Sequence, residues 1–108
     1  MLGWKEIIEF QDKFYPDWRK KPRLLFSNAL AGECGEVCGV ITHLEGGGTN
    51  LQEYSNKQVL EECADLYIQL VLLIAMSGFT RGDFENQFWK TMIELNGRLN
   101  KKHKRKML

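Results

Sequence analysis

Proline is scarce in this chain, standing only at positions 16 and 22, and both lie in one short segment, YPDWRKKPR. Long stretches are therefore free of helix breakers. No run of about 18 apolar residues passes without a charge, so no transmembrane span is expected. The opening MLGWKEIIEF carries charges early and lacks the apolar stretch of a secretory leader, which points to a cytoplasmic protein. Cysteine occurs three times, an odd number that does not build a disulfide framework. Cys34, Cys38 and Cys63 sit in apolar surroundings and read as buried free thiols, since cysteine behaves as a small hydrophobe. A zinc site from Cys34, Cys38, Cys63 and His43 would suit the i, i+4 spacing, but no CxxC pair supports it.

What remains is a chain of 108 residues with an ordinary apolar content of 44%. It reads as one domain over residues 1–108 with a basic tail from about 98 to 108. The net charge of +1 conceals an asymmetry. Six Lys/Arg and no acid follow from Arg98 onward, leaving nine of the 15 basic residues and all 14 acidic ones before it, a net of −5. An acidic body suits a cation better than a nucleic-acid groove. The tail NKKHKRKML has no interleaved aromatics and reads as a solvated extension that complements a helix C-terminus, not as a nucleic-acid or membrane site.

Four amphipathic segments organise the chain. Trp4, Ile7, Ile8, Phe10, Phe14 and Tyr15 recur at mostly helical spacing and predict a first helix ended by Pro16. A second is expected from about Leu24 to Leu44, after which EGGGTNLQEYSN breaks the pattern. A third runs from about Asn56 to Met76, capped by Ser55 or Asn56, and is apolar nearly all round, as for a helix inside a bundle or between subunits. After SGFTRGD, the stripe Phe84, Phe88, Met92, Leu95 and Leu99 predicts a fourth helix that frays into the basic tail. The fold class is all-α, a four-helix bundle whose central pair packs antiparallel.

The chemistry is concentrated in that central pair. With Glu33 at 0° on a helical wheel, Glu36 falls at about 300° and Val40 at about 340°, so both glutamates occupy the apolar arc. With Glu62 at 0°, Asp65 stands at about 300° and Gln69 at about 340°, while Glu61 is marginal at about 260°. His43, at about 280° on the second helix, flanks the glutamate face. Burying unpaired carboxylates costs several kcal/mol, and a cluster of them also repels itself. The possible escapes are protonation, pairing with Lys or Arg, or a bound cation. Neither helix offers a nearby base apart from Lys57, one turn away. Hard oxygen ligands on two facing helices suit Mg²⁺ or Mn²⁺. Gly32, Gly35 and Gly39 each cost about 1 kcal/mol inside a helix, which makes sense if a neighbouring helix or a ligand approaches closely.

The pattern ExxE in ECGE, a glycine-rich loop and ExxD in ECAD resembles the MazG-like all-α nucleoside triphosphate pyrophosphohydrolases, over both central helices and with flanking helices of similar length. The resemblance implies a homodimer or homotetramer that converts (d)NTP to (d)NMP and pyrophosphate with Mg²⁺ (Mn²⁺ also serving), a house-cleaning of surplus or non-standard nucleotides. It carries the metal-ligand role to Glu33, Glu36, Glu62 and Asp65, with Glu36 or Glu33 holding the attacking water. In the fourth helix, MIELNGR keeps Asn96 and Arg98 of a K-x-x-x-N-x-R pattern, but Met92 stands where lysine is common. Lys57 or the Arg19–Arg23 cluster could meet phosphates instead, and Trp18 or Phe14 could stack on a base. Two alternatives stay open: a phosphoribosyl-ATP pyrophosphatase-like enzyme, and a non-catalytic helical interaction protein that retains a metal site.

Overall fold

In the computed structural model, residues 2–46 and 54–107 are described, and among them every regular element is helical. In chain order these are α1 (Trp4–Phe14), a 3₁₀ turn (Trp18–Lys20), α2 (Arg23–Glu45), α3 (Asn56–Met76) and α4 (Arg81–Met107). The all-α expectation and the two central spans hold. The consecutive glycines from 47 onward lie outside the described residues.

Local chemistry accounts for the boundaries. Pro16 cannot donate a helical hydrogen bond, and α1 stops at Phe14 with the Tyr15 N–H returned to the Gln11 carbonyl. Pro22 is extended at the entry to α2, where its fixed φ suits the position. Ser55 occupies the N-cap of α3, and its backbone N–H donates to Gln58 Oε1 at 3.3 Å. α3 ends at Met76, and Gly78, just past the Ser77 C-cap, takes a φ of 92° that is open to glycine at no steric cost. A reciprocal capping box starts α4: the Thr80 N–H donates to Asp83 Oδ2 at 2.9 Å, and the Asp83 N–H donates to Thr80 Oγ1 at 3.2 Å. The fourth helix does not fray where expected; it runs on through the basic tail to Met107. Lysine and arginine are good helix formers, and positive charge in the last turns complements the helix dipole.

α2 and α3 pack along their length in one antiparallel register. Phe26 meets Leu72 in the core, Glu33 lies by Glu62 and Asp65, and His43 stacks on Tyr54. α1 lies across α3: the Tyr67 hydroxyl donates to the Leu2 carbonyl, and Ile7 and Ile8 cover the Trp18–Phe26–Leu72 cluster. Trp18 is 2% exposed, packs edge-on to Phe26 with ring centroids 6.1 Å apart, and donates its indole N–H to Asp12 at 2.8 Å. Arg19 stands over the same indole at 4.3 Å and bridges to Asp12 at 2.6 Å. That bridge holds the Asp12 carboxyl below its ordinary range, together with the larger contribution of the Trp18 hydrogen bond.

The core is small for so apolar a chain. Only Phe26 and Val40 in α2 and Val71 and Leu72 in α3 are buried. The radius of gyration is 18.2 Å, against about 13 Å for a compact domain of this length. Two expectations fail for this reason. Cys34, Cys38 and Cys63 are exposed, because they lie on a flank of the α2–α3 pair that none of the described residues covers. A Cβ at Gly32, Gly35 or Gly39 would meet nothing within 4 Å, so among the described residues no element uses the space these glycines leave. α2 is also long and apolar enough, by length and composition alone, to cross a membrane. Its middle carries Glu33 and Glu36, each of which would cost about 3 kcal/mol at a bilayer centre.

Two stability outcomes follow. Trp18→Ala removes the largest buried side chain and one of the two hydrogen bonds to Asp12, and should lower the unfolding free energy by about 3–5 kcal/mol in urea titration. Gly35→Ala, entering open space on a helix, should raise it by about 1 kcal/mol for the chain taken alone; a loss of stability would show that another surface occupies that space.

Candidate metal centre

The antiparallel register of α2 and α3 turns two i, i+3 carboxylate pairs toward each other. On α2, Glu33 is half-buried and Glu36 exposed; on α3, Glu62 is half-buried and Asp65 exposed. One oxygen from each of Glu33, Glu62 and Asp65 lies within 4.8 Å of the others, the spacing of ligands around a single ion. Glu36 stands beside this trio, close enough to share a hydrogen bond with Glu33 and with Glu62. Three of the four expected ligands, Glu33, Glu62 and Asp65, are thus brought together, with Glu36 beside them and outside the trio, at an open edge of the helix pair and not in a sealed core.

Electrostatics mark the cluster as uncompensated. One oxygen of Glu33 and one of Glu62 are buried with no hydrogen-bond partner among the described residues. The hydrogen bond that the protonated Glu62 donates to Glu36, followed by burial and the charges of Glu36, Asp65 and Glu33, pushes the Glu62 carboxyl up to about 7. Burial first, then the neighbouring Glu36 charge, raises Glu33 as well. The nearest base is already engaged: Lys57 Nζ lies 3.8 Å from Glu61 in an exposed i, i+4 pair. Orphaned carboxylate oxygens, all-oxygen donors and no cationic partner fit a hard divalent ion.

Beside the carboxylates runs a cavity of about 250 Å³ lined by Glu36, Gly39, Val40, His43, Tyr54, Gln58 and Glu62. The His43 and Tyr54 rings form one of its walls, stacked 4.2 Å apart and 8° from parallel. Tyr54 and Gln58 were not among the residues singled out from sequence. Gln58 carries a weak signal, lying four residues before Glu62 on the same face, whereas Tyr54 precedes the helix and has none. A larger cavity, about 620 Å³, lies at the α3–α4 corner around Ile74, Phe79 and Phe84 and shares no lining residue with the carboxylate site.

The other sequence-derived residues are not gathered here. Trp18 is in the core, its face covered by Arg19 and its edge against Phe26. Asn96 and Arg98 are exposed on α4, and among the described residues neither makes a hydrogen bond or ion pair with the carboxylates. Arg19 is committed to Asp12, and Lys20 lies 3.9 Å from Asp17.

The raised Glu62 carboxyl has a definite sign. Between its unfolded value near 4.5 and its folded value of about 7, the folded state holds more protons. Stability from this group is full below pH 4.5 and is lost as pH rises to about 7. In EDTA the melting temperature should therefore fall across this window. Glu62→Gln should flatten the fall, and Mg²⁺ or Mn²⁺ should raise the melting temperature more at pH 8 than at pH 5. An equal metal effect at both pH values would count against ion binding by these carboxylates. No protein-family model, curated protein or solved structure matches this chain.

Proposed function

We propose that the protein is a Mg²⁺-dependent nucleoside triphosphate pyrophosphohydrolase, converting (d)NTP and water to (d)NMP and pyrophosphate. The observation that carries this reading is the pair of orphaned, half-buried carboxylates on facing helices, flanked by Glu36 and Asp65 and with no base to neutralise them. Glu33, Glu36, Glu62 and Asp65 would hold the ion, which when bound offsets the charge of the triphosphate.

The chain's own groups supply the rest. Glu36 or Glu33, as a carboxylate, holds the attacking water and takes its proton as the water oxygen bonds to phosphorus and the phosphoanhydride bond to pyrophosphate breaks. The flat His43–Tyr54 pair beside Glu36 is an aromatic surface of the kind on which a nucleobase stacks. Lys57, Asn96 and Arg98 are the candidate phosphate contacts. Lys57 would have to exchange Glu61, and Asn96 and Arg98 would reach a site only from α4. The wide exposed apolar surface supports a homodimer or homotetramer.

One observation favours a second reading. The separation of Asn96 and Arg98 from the carboxylates, together with the exposed apolar surface, also suits a non-catalytic helical interaction protein that keeps a metal site. Pyrophosphate release from canonical and modified (d)NTPs and from phosphoribosyl-ATP, with Mg²⁺, with Mn²⁺ and with EDTA, separates these readings. The expected outcome is metal-dependent release of pyrophosphate with the monophosphate. Glu62→Gln should lower turnover by at least about a hundredfold with helicity unchanged. Turnover of phosphoribosyl-ATP alone would shift the substrate, and metal binding without turnover of any compound would leave the interaction reading.

A further inference from the structure

The cavity beside the carboxylates has a direction. Glu36 and Glu62 stand at one end, Gly39 and Gln58 line it about one turn further along each helix, and the stacked His43 and Tyr54 rings follow beyond them. A nucleotide whose phosphates lie at the carboxylates therefore carries its base away from them, along the aromatic wall. Gly39 leaves room for it. The residue is half-buried and lines the cavity, yet a Cβ there would meet nothing within 4 Å, so the missing side chain widens the space open to a ligand.

Gln58 is the polar group of this cavity whose orientation the fold fixes. The Ser55 N–H donates to Gln58 Oε1 at 3.3 Å as part of the cap of α3. A backbone N–H can face only an acceptor, so the amide oxygen is committed to the cap and the two N–H groups of Nε2 are left over. Gln58 is half-buried, and among the described residues Nε2 has no hydrogen-bond partner. The capping bond also draws the amide back toward Ser55, to the Tyr54 side of the cavity and away from Glu62.

We infer that Gln58 selects the base: its amide N–H groups donate to the exocyclic oxygen at position 4 of a pyrimidine or position 6 of a purine. The substrates are then triphosphates of oxo bases (uracil, thymine, guanine, hypoxanthine) in preference to those of amino bases (cytosine, adenine). The inference rests on the pyrophosphohydrolase reading above and adds to it the class of base. With sugar and phosphates toward Glu36 and Glu62, the edge of the base remote from the sugar is the one that meets Gln58. An oxo base presents an acceptor there. An amino base sets donor against donor, and a site built to hydrogen-bond one edge rejects the analogue that cannot pair.

Two pairs of substrates matched in ring size test it, dUTP against dCTP and dITP against dATP, read as kcat/KM for pyrophosphate release with Mg²⁺. The wild type should favour the oxo member of each pair by at least about tenfold. Gln58→Glu keeps an oxygen for the Ser55 N–H, since Ser-x-x-Glu is itself a capping box, and replaces the amide nitrogen by an acceptor. Its added negative charge lowers turnover of every nucleotide, so the ratio within each pair is the readout. That ratio should fall at least about tenfold, to parity or below. Gly39→Leu, which fills the cavity, should lower kcat/KM for all four nucleotides by at least about tenfold.

Circular dichroism accompanies each variant; if Gln58→Glu loses helicity, the wild-type ratios and Gly39→Leu decide. Turnover without oxo preference, an unchanged ratio in folded Gln58→Glu, or wild-type turnover by Gly39→Leu would overturn the inference and leave the hydrolase reading standing. If no nucleotide is turned over, calorimetric binding of dUTP and dCTP with Mg²⁺ reads the same selection. Tighter binding of dUTP that Gln58→Glu abolishes would uphold the base contact and overturn hydrolysis alone, whereas binding of neither would overturn both.

Discussion

The register in which α2 packs on α3 is the constraint from which the rest of this structure follows. Phe26 on Leu72 sets it at one end and His43 on Tyr54 at the other, and between them the glutamates have no choice but to face Glu62 and Asp65. Rotation of either helix by one residue, about 100°, would carry the carboxylates off the interface and leave small apolar side chains in their place. The anchor at the Phe26 end is strengthened from outside the pair. Trp18, held by Asp12 and capped by Arg19, fills the angle between α1, α2 and α3 and ties the segment between the two prolines to the core.

That register is costly where the carboxylates meet. Four acidic side chains converge while the nearest base is spent on Glu61, and the hydrogen bond to Glu36, burial and the neighbouring charges together keep a proton on Glu62 at a pH where a free glutamate would have lost it. Like charges on facing helices oppose the apolar contacts on either side. The helix pair is therefore in tension, which a proton or a divalent ion at Glu33 and Glu62 relieves. Burial of one oxygen on each residue decides between these: an exposed carboxylate loses little by remaining solvated, whereas a buried one without a hydrogen bond gains most from a ligand.

A second imbalance concerns surface. The helices bury one shared seam and leave much of α2 and nearly all of α4 in contact with solvent. A chain of this length could cover more of itself, and its large radius of gyration reflects that it does not. The uncovered regions have definite character: α2 offers a glycine-lined face free of obstruction, and α4 offers a periodic apolar seam between charges of opposite sign.

What was legible in the sequence was what depends on local periodicity. Helix boundaries at Pro16, Ser55 and Gly78 follow from backbone chemistry, and the i, i+3 spacing of Glu33/Glu36 and Glu62/Asp65 places each pair on one helical face whatever surrounds it. The sequence by itself also determined that α4 would carry an apolar stripe and a basic end, though not that the helix would persist to Met107. Only the tertiary structure decided which faces are covered. The same wheel that turns the carboxylates inward cannot tell that the flank bearing Cys34, Cys38 and Cys63 stays open, that Trp18 is consumed by the core, or that Tyr54 closes on His43. Periodicity specifies a direction from a helix axis; burial depends on whether another element arrives there, and that is set by contacts between residues far apart in the chain.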